Sequence, residues 1–221
     1  MTHSGHRIGN GASLLGDWVL LARMPYDYPS DIQAKMKTLV RICARYNPVC
    51  ISSYNKEGRV IRYMRGWKEN QVSGVHISST IEEVTEDPIL QHHVVYAKKE
   101  DILNVVREIN EAELGIPIVI AGQFDEVFSI CEIVETKPHT VNLCARTLGK
   151  LELLPEPPIL ELVTMCGHGR VSSYLARHLI DRVRKGEMTP EAASLELGKQ
   201  CTCNILNPVR GTKIILEAVS G

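Results

Sequence analysis

The sequence lacks the features of several common classes of protein. No stretch approaches the ~20 consecutive apolar residues of a membrane-spanning helix, and residues 1–12 are polar rather than a charged start followed by an apolar run. We therefore expect a cytoplasmic chain with no membrane partner. The 25 basic residues nearly balance the 26 acidic ones, so no overall positive charge favours nucleic acid. The expected partner is a small-molecule substrate, and a homo-oligomer is left open.

Well-known catalytic and nucleotide-binding signatures are also missing. The glycines match neither the G-x-x-x-x-G-K-[ST] phosphate loop nor a G-x-G-x-x-G turn after a strand. Neither H-E-x-x-H nor G-x-S-x-G occurs. A candidate site must therefore be sought among other residues.

The hydrophobic periodicity predicts alternating strands and helices in the first two thirds of the chain. Ser30 precedes apolar residues at helical spacing, which predicts a helix over residues 31–46. A turn at Lys56-Glu57-Gly58 joins two predicted strands, residues 49–54 and 60–64, into a hairpin.

The middle of the chain continues this alternation. Residues 93–97 read as a strand, a helix ends at Gly115, and residues 116–121, 125–134 and 140–145 follow as strand, helix and strand. This order favours right-handed crossovers. The expected fold class is α/β, with a partly parallel mixed sheet and crossover helices, followed by a helical C-terminal subdomain.

A proline cluster, Pro155-Glu156-Pro157-Pro158, marks the predicted boundary. Beyond it, Thr189-Pro190 and Asn207-Pro208 each combine an N-cap residue with proline at the first helical position. The prediction is an α/β domain over residues 1–154 and a helical metal- or cluster-binding subdomain over residues 155–221.

Cysteine usage provides the strongest functional signal. The seven cysteines are an odd number, and disulfides are rare in a reducing cytoplasm, so metal or thiol chemistry is more attractive. The segment Met165-Cys166-Gly167-His168-Gly169-Arg170 places a thiol and an imidazole two residues apart, and Cys201-Thr202-Cys203 lies in a later loop. Both loops lead into predicted helices. They could therefore converge on one centre.

Three thiolates, Cys166, Cys201 and Cys203, suit a [4Fe–4S] cluster that leaves one iron open to substrate. The expected function is an oxygen-sensitive iron–sulfur enzyme, of lyase, dehydratase or desulfidase type, acting on a small anionic substrate. Two alternatives stay open. One is a binding or regulatory module stabilised by zinc, in which Cys144 or His168 is the fourth ligand. The other is a metal-free thiol enzyme with Cys166 as nucleophile, activated by His168 and a helix N-terminus.

The remaining candidates follow from position and charge. His168 is the predicted acid–base residue if it is not a ligand. Arg170 and Arg210, beside the predicted centre, are candidates for binding a substrate carboxylate. Three of the other four cysteines lie on apolar faces and are predicted to be core residues: Cys43, Cys50 and Cys131.

Overall fold

A computed structural model describes residues 7–25, 27, 29–55, 60–67, 76–77, 80–85, 89–142 and 147–221. Within these ranges the chain forms one sheet with helices packed against both faces. In chain order the elements are α1 (Gly11–Leu14), β1 (Trp18–Arg23), α2 (Ile32–Arg45), β2 (Cys50–Tyr54), β3 (Val60–Met64), β4 (His76–Ile77), a 3-10 helix (Glu82–Thr85), β5 (Gln91–Tyr96), α3 (Lys99–Glu111), β6 (Ile118–Ala121), α4 (Phe124–Ile133), a second 3-10 helix (Leu151–Leu153), α5 (Pro157–Thr164), α6 (Ser173–Arg184), α7 (Pro190–Gln200) and α8 (Pro208–Ser220).

The sheet corrects the predicted fold class. Its order is β4-β3-β2-β5-β1-β6, and the five longer strands pair antiparallel throughout the described residues. Only the two-residue strand β4 pairs parallel, at one edge. The expected partly parallel mixed sheet with crossover helices is therefore wrong.

Neighbouring strands are antiparallel because two β-α-β units are interleaved in the sheet. The unit β5–α3–β6 does place two strands in the same direction, but β1 lies between them and pairs antiparallel with each. In the same way β5 lies between β1 and β2, the strands on either side of α2. This is a split β-α-β arrangement, in which each crossover skips one strand.

Two strands differ from the prediction, and one predicted hairpin is observed. The central strand β1 was not predicted, although its sequence Trp-Val-Leu-Leu-Ala-Arg is almost wholly buried. A strand was predicted over residues 140–145, but residues 140–142 form no regular element and residues 143–146 lie outside the described ranges. The predicted hairpin is confirmed in its strands, β2 and β3, which pair antiparallel; the turn predicted at residues 56–58 is not described.

Strand alternation divides the apolar residues into two cores, as expected of a sheet covered on both faces. On one face Trp18, Leu20 and Val94 pack with α2, α3 and α4. On the other, Val19 and Val95 pack with α5, α6, α7 and α8. The C-terminal helices thus share a core with the strands. The domain division at residue 154 stays a prediction.

Local sequence accounts for the starts of these helices. The Thr189 side chain accepts a hydrogen bond from the Ala192 N–H, and Asn207 accepts from the N–H groups of Val209 and Arg210. Helix α5 begins inside the proline cluster itself, with proline in its first turn. None of the helices in the described part of the chain has the length and apolar character needed to cross a membrane.

Candidate thiol and histidine site

The loop between α7 and α8, residues 201–207, passes over the sheet face that the C-terminal helices cover. Cys201 is the C-cap of α7 and Asn207 the N-cap of α8. Asn207 also anchors the loop, because its amide donates to the carbonyl oxygen of Gly16 at 2.8 Å. Both ends of the loop are therefore fixed by helix termini.

Polar side chains from neighbouring strands hold the backbone of this loop. Ser52 and His93 are cross-strand partners, and both donate to the carbonyl oxygen of Cys203, at 3.0 and 3.1 Å. Because a carbonyl only accepts, the His93 Nδ1 carries the proton and its Nε2 accepts from the amide of Gln91 at 2.5 Å.

The two preceding carbonyls of the loop are held in the same way. Arg62 Nη1 donates to the carbonyl oxygen of Cys201 at 2.8 Å, and the Tyr54 hydroxyl donates to that of Thr202 at 3.1 Å. The sheet therefore binds three successive backbone carbonyls. These hydrogen bonds do not involve the thiols of the loop, which instead contact each other and the loop after α5.

The predicted site residues Cys166, Cys201, Cys203 and His168 do come together. The Sγ atoms of Cys201 and Cys203 are 3.7 Å apart, and Cys203 Sγ lies 3.5 Å from His168 Nδ1. Cys166 is close enough to Cys201 for their interaction to raise the pKa of Cys166. All three thiols are buried, whereas His168 is exposed. The site is thus a row of pairwise contacts that ends at an accessible imidazole.

These contacts separate the acidities of the three thiols. The hydrogen bond from Cys201 lowers the pKa of Cys203. The hydrogen bond from Cys166 lowers the pKa of Cys201. The bond from Cys201 to Cys203 and the burial of Cys201 together outweigh this effect and raise the pKa of Cys201 to about 11. The hydrogen bond to Cys201, followed by burial, raises the pKa of Cys166. Cys203 is therefore the most acidic thiol of the three.

Backbone hydrogen bonds also act on the three thiols. Those of His168 and Arg170 oppose the rise in the pKa of Cys166, and that of Ile205 opposes the rise for Cys201 and adds to the lowering for Cys203. Hydrogen bonds of this kind favour the thiolate, the form that binds metals or attacks electrophiles.

A partly open cavity of about 560 Å³ adjoins the thiol row. Cys203 and His168 line it together with Arg23, Tyr54, Gln91 and His93. Among the described residues that line it there is one arginine and there are two histidines, but no carboxylate. The described lining of the cavity thus combines a thiol, imidazoles and a guanidinium.

The two arginines predicted to bind substrate have different surroundings. Burial raises the pKa of the Tyr54 phenol, and exposed Arg170 lies near enough to oppose that rise. Arg210 is buried, and its guanidinium donates to Asp17 at 2.8 Å, to Glu161 at 2.9 Å and to Ser13 at 2.9 Å. The Arg210 guanidinium is therefore engaged in structural contacts. None of these contacts is with a residue of the cavity lining.

The remaining cysteines lie away from the row. Cys43 is fully buried among the helices of the first core, and Cys131 is buried on α4. Cys50 donates to the carbonyl oxygen of Leu206 at 3.1 Å from the sheet below the loop. Cys144, a candidate fourth ligand, lies outside the described residues.

Sequence reasoning missed the polar side chains of the sheet: Ser52, Tyr54, Arg62 and His93. The signal was present in the alternation, because all four occupy the same face as Cys50 and Val95, which belong to the second apolar core. Polar residues on an apolar sheet face indicate that something polar must be bound there.

Over the described ranges, no group of three or more His, Cys, Asp or Glu side chains is arranged to hold a metal ion. The contacts of the thiol row are pairwise and do not surround a common point. Comparison of the chain with family models, with curated proteins and with solved structures gives no match. The function is therefore inferred from the site itself.

Proposed function

We propose that this chain binds a single metal ion, with zinc as the ion of choice, through Cys166, Cys201, Cys203 and His168. The observation that carries the proposal is the pair of distances along the row, 3.7 Å between two sulfurs and 3.5 Å from sulfur to imidazole nitrogen. Two ligands of one tetrahedral zinc ion lie about 3.8 Å apart when both are sulfur and about 3.5 Å apart when one is nitrogen, given the usual zinc bond lengths.

The donor set supports the same choice. Three sulfurs and one imidazole suit zinc and disfavour hard cations such as Mg²⁺ or Ca²⁺. Each cysteine aims its sulfur through a single torsion angle, so rotation about χ1 can turn pairwise contacts into a common centre. The N–H groups directed at the sulfurs would then act as outer-shell donors.

The expected [4Fe–4S] cluster stays an untested prediction. Cysteines that bind such a cluster are ligands to different irons, so the cluster separates their sulfurs. The short sulfur–sulfur distance is closer to the separation of two ligands of one ion. Metal analysis distinguishes the two centres directly.

The cavity supports binding of a small anionic molecule next to the centre. Its described lining combines Arg23, two imidazoles and the Cys203 thiol, without a carboxylate. If His168 were an acid–base group instead of the fourth ligand, the three thiolates would leave one position of the metal open, where it would supply a Lewis acid to a substrate oxygen. We propose an addition or elimination reaction on such an anion in the cytoplasm, with no role for nucleic acid.

A second function, metal-free thiol chemistry, is favoured by the properties of Cys203. This thiol has the lowered pKa, contacts His168 and lines the cavity, whereas Cys166, the nucleophile expected from the sequence, is the least acidic thiol of the row. Nucleophile and base next to each other in a cavity are the usual requirements of a thiol enzyme.

One measurement separates these functions. The chain is purified without oxygen, and zinc and iron are counted per chain by mass spectrometry alongside a visible spectrum. About one zinc per chain in a colourless protein supports the proposal, and a brown protein with several irons supports the cluster. A colourless, metal-free protein in which iodoacetamide alkylates Cys203 first supports the thiol enzyme.

A further inference from the structure

Cys201 and Cys203 lie on one tight turn of the loop between α7 and α8. The N–H of Asn204 donates to the carbonyl oxygen of Cys201 at 2.9 Å, which closes the turn, and Asn204 has a positive φ of 55°. The Asn204 amide also donates to the carbonyl oxygens of Ile51 on β2 and Tyr63 on β3, at 3.1 and 2.7 Å. The turn that carries both thiols is therefore held against the sheet.

The turn places the two sulfur atoms next to each other. They are 3.7 Å apart, and each is carried by a side chain with a single rotatable torsion, χ1. A disulfide requires a separation of about 2.05 Å, so the sulfurs of Cys201 and Cys203 need to approach each other by less than about 2 Å. Rotation about χ1 supplies a movement of this size. The contacts of the loop carbonyls with the sheet need not break.

The two thiols differ in their access to the cavity. Cys203 lines it together with His168 and Tyr54, whereas Cys201 is not among the described residues of the lining. Both side chains are otherwise buried. A small molecule that enters the cavity therefore meets the Cys203 sulfur first, with the Cys201 sulfur in contact with it.

We propose that Cys203 is an oxidation site for hydrogen peroxide and that Cys201 converts the oxidised sulfur to a disulfide. In the first step the Cys203 sulfur bonds to one peroxide oxygen, the O–O bond breaks, and the thiol proton leaves with the other oxygen as water. In the second step the Cys201 sulfur bonds to the Cys203 sulfur, the S–O bond breaks, and the second thiol proton leaves with that oxygen as water. The peroxide is reduced to two water molecules, and the two thiols are oxidised to one disulfide.

The disulfide would regulate the proposed centre. Cys201 and Cys203 are two of its four ligands, and metals bind the thiolate form of cysteine, which a disulfide no longer offers. Oxidation should therefore release zinc, and a reductant should restore binding. This consequence rests on the proposed metal function, whereas formation of the disulfide does not.

The test uses the full chain, purified without oxygen and then treated with hydrogen peroxide. Free thiols are alkylated and the chain is cut with trypsin. Cleavage after Lys199 and Arg210 gives one peptide that contains both Cys201 and Cys203, while Cys166 lies on a different peptide. The expected product is the first peptide without alkylation and lighter by two hydrogen atoms. Dithiothreitol before alkylation should return it to the alkylated form.

Variants separate the two roles. Cys201→Ser should prevent the disulfide and leave Cys203 as a sulfenic acid, which dimedone traps. Cys203→Ser should give neither product, because the described lining of the cavity then has no thiol. Cys43→Ser and Cys131→Ser are the matched controls, since these buried thiols lie away from the turn, and they should form the disulfide as the wild type does.

The wild-type mapping decides the inference even if Cys201→Ser does not fold. Thiols of the turn that stay reduced in excess peroxide, or a disulfide from Cys203 to Cys166 or Cys144 instead, would overturn it. Zinc release is followed in the same samples with a chromophoric chelator, and zinc retained by the disulfide form would overturn the regulation. A wild type that binds no metal refutes the proposed function instead and leaves the disulfide in place, so the two failures remain distinct.

Discussion

The Ser52 hydroxyl donates a hydrogen bond to the Cys203 carbonyl across 151 residues of sequence. The contact links the hairpin β2–β3 to the loop after α7, and His93 donates to the same carbonyl oxygen. The backbone of the thiol loop is thus positioned by the sheet, while its sulfurs stay available for a ligand. Folding of the sheet and formation of the site are consequently coupled.

Cysteine substitutions test the ligand set. Cys201→Ser and Cys203→Ser should each abolish stoichiometric zinc, because a hydroxyl is a poor ligand beside the remaining thiolates. Cys43→Ser and Cys131→Ser are the matched controls, since these thiols are buried away from the row, and they should retain metal at some cost in stability. Elemental analysis per chain is the measurement. Equal metal in all four variants would place the ligands elsewhere.

Local patterns predicted many of the elements but not the way the strands combine. The helix expected at residues 31–46 is observed at Ile32–Arg45, and the capped starts of α7 and α8 are those expected from Thr189-Pro190 and Asn207-Pro208. These features depend on residues a few positions apart. Strand order depends on β1, whose short apolar run carries no alternation to identify it.

Local sequence likewise predicted some residues of the site and not the contacts of others. Two short cysteine motifs were enough to propose that Cys166, Cys201 and Cys203 converge, because both precede helices of the same layer. Nothing local to Arg210 reveals its carboxylate partners, since Asp17 and Glu161 lie 193 and 49 residues away in sequence. Contacts between charged groups that are far apart in sequence cannot be predicted before the strand order is known.

His168 provides a second test of the centre. If it is the fourth ligand, His168→Ala should weaken zinc affinity by at least about tenfold without unfolding the chain, because its side chain is exposed. His139→Ala is the matched control, since His139 is also exposed. Zinc competition is the measurement. Unaltered affinity together with a loss of turnover of about 10²–10⁴-fold would instead identify His168 as an acid–base residue.

Arg210 is expected to affect stability rather than substrate binding. Arg210→Met removes a buried cation that neutralises Asp17 and Glu161, and loss of one partner from such a network costs about 3–5 kcal/mol. Urea denaturation of the zinc-loaded protein measures the change. Arg177→Met, which removes an exposed ion pair with Glu156, should have only a small effect. If both variants are as stable as the wild type, Arg210 returns to the list of candidate substrate ligands.

His92 should make the fold sensitive to acid. Its ring is fully buried in the first core, with Nδ1 3.2 Å from Ser53 Oγ, and Nε2 has no partner in the described structure. Burial, followed by the neighbouring His93, lowers the pKa of His92 to about 3. The unfolded chain therefore binds a proton below about pH 6.5 that the folded chain does not bind until about pH 3.

The sign of the effect follows from this difference in proton binding. The contribution of His92 to the free energy of unfolding is complete above about pH 6.5 and falls as the pH decreases, by up to about 1.4 kcal/mol per pH unit, until it levels off near pH 3. Between pH 7.5 and pH 5 the wild type should lose about 2 kcal/mol more than His92→Asn does. Urea denaturation at both pH values measures this, with His139→Asn as an exposed control that should keep the wild-type slope. The same pH dependence in His92→Asn as in the wild type would show that the buried imidazole already takes up its proton in the folded state.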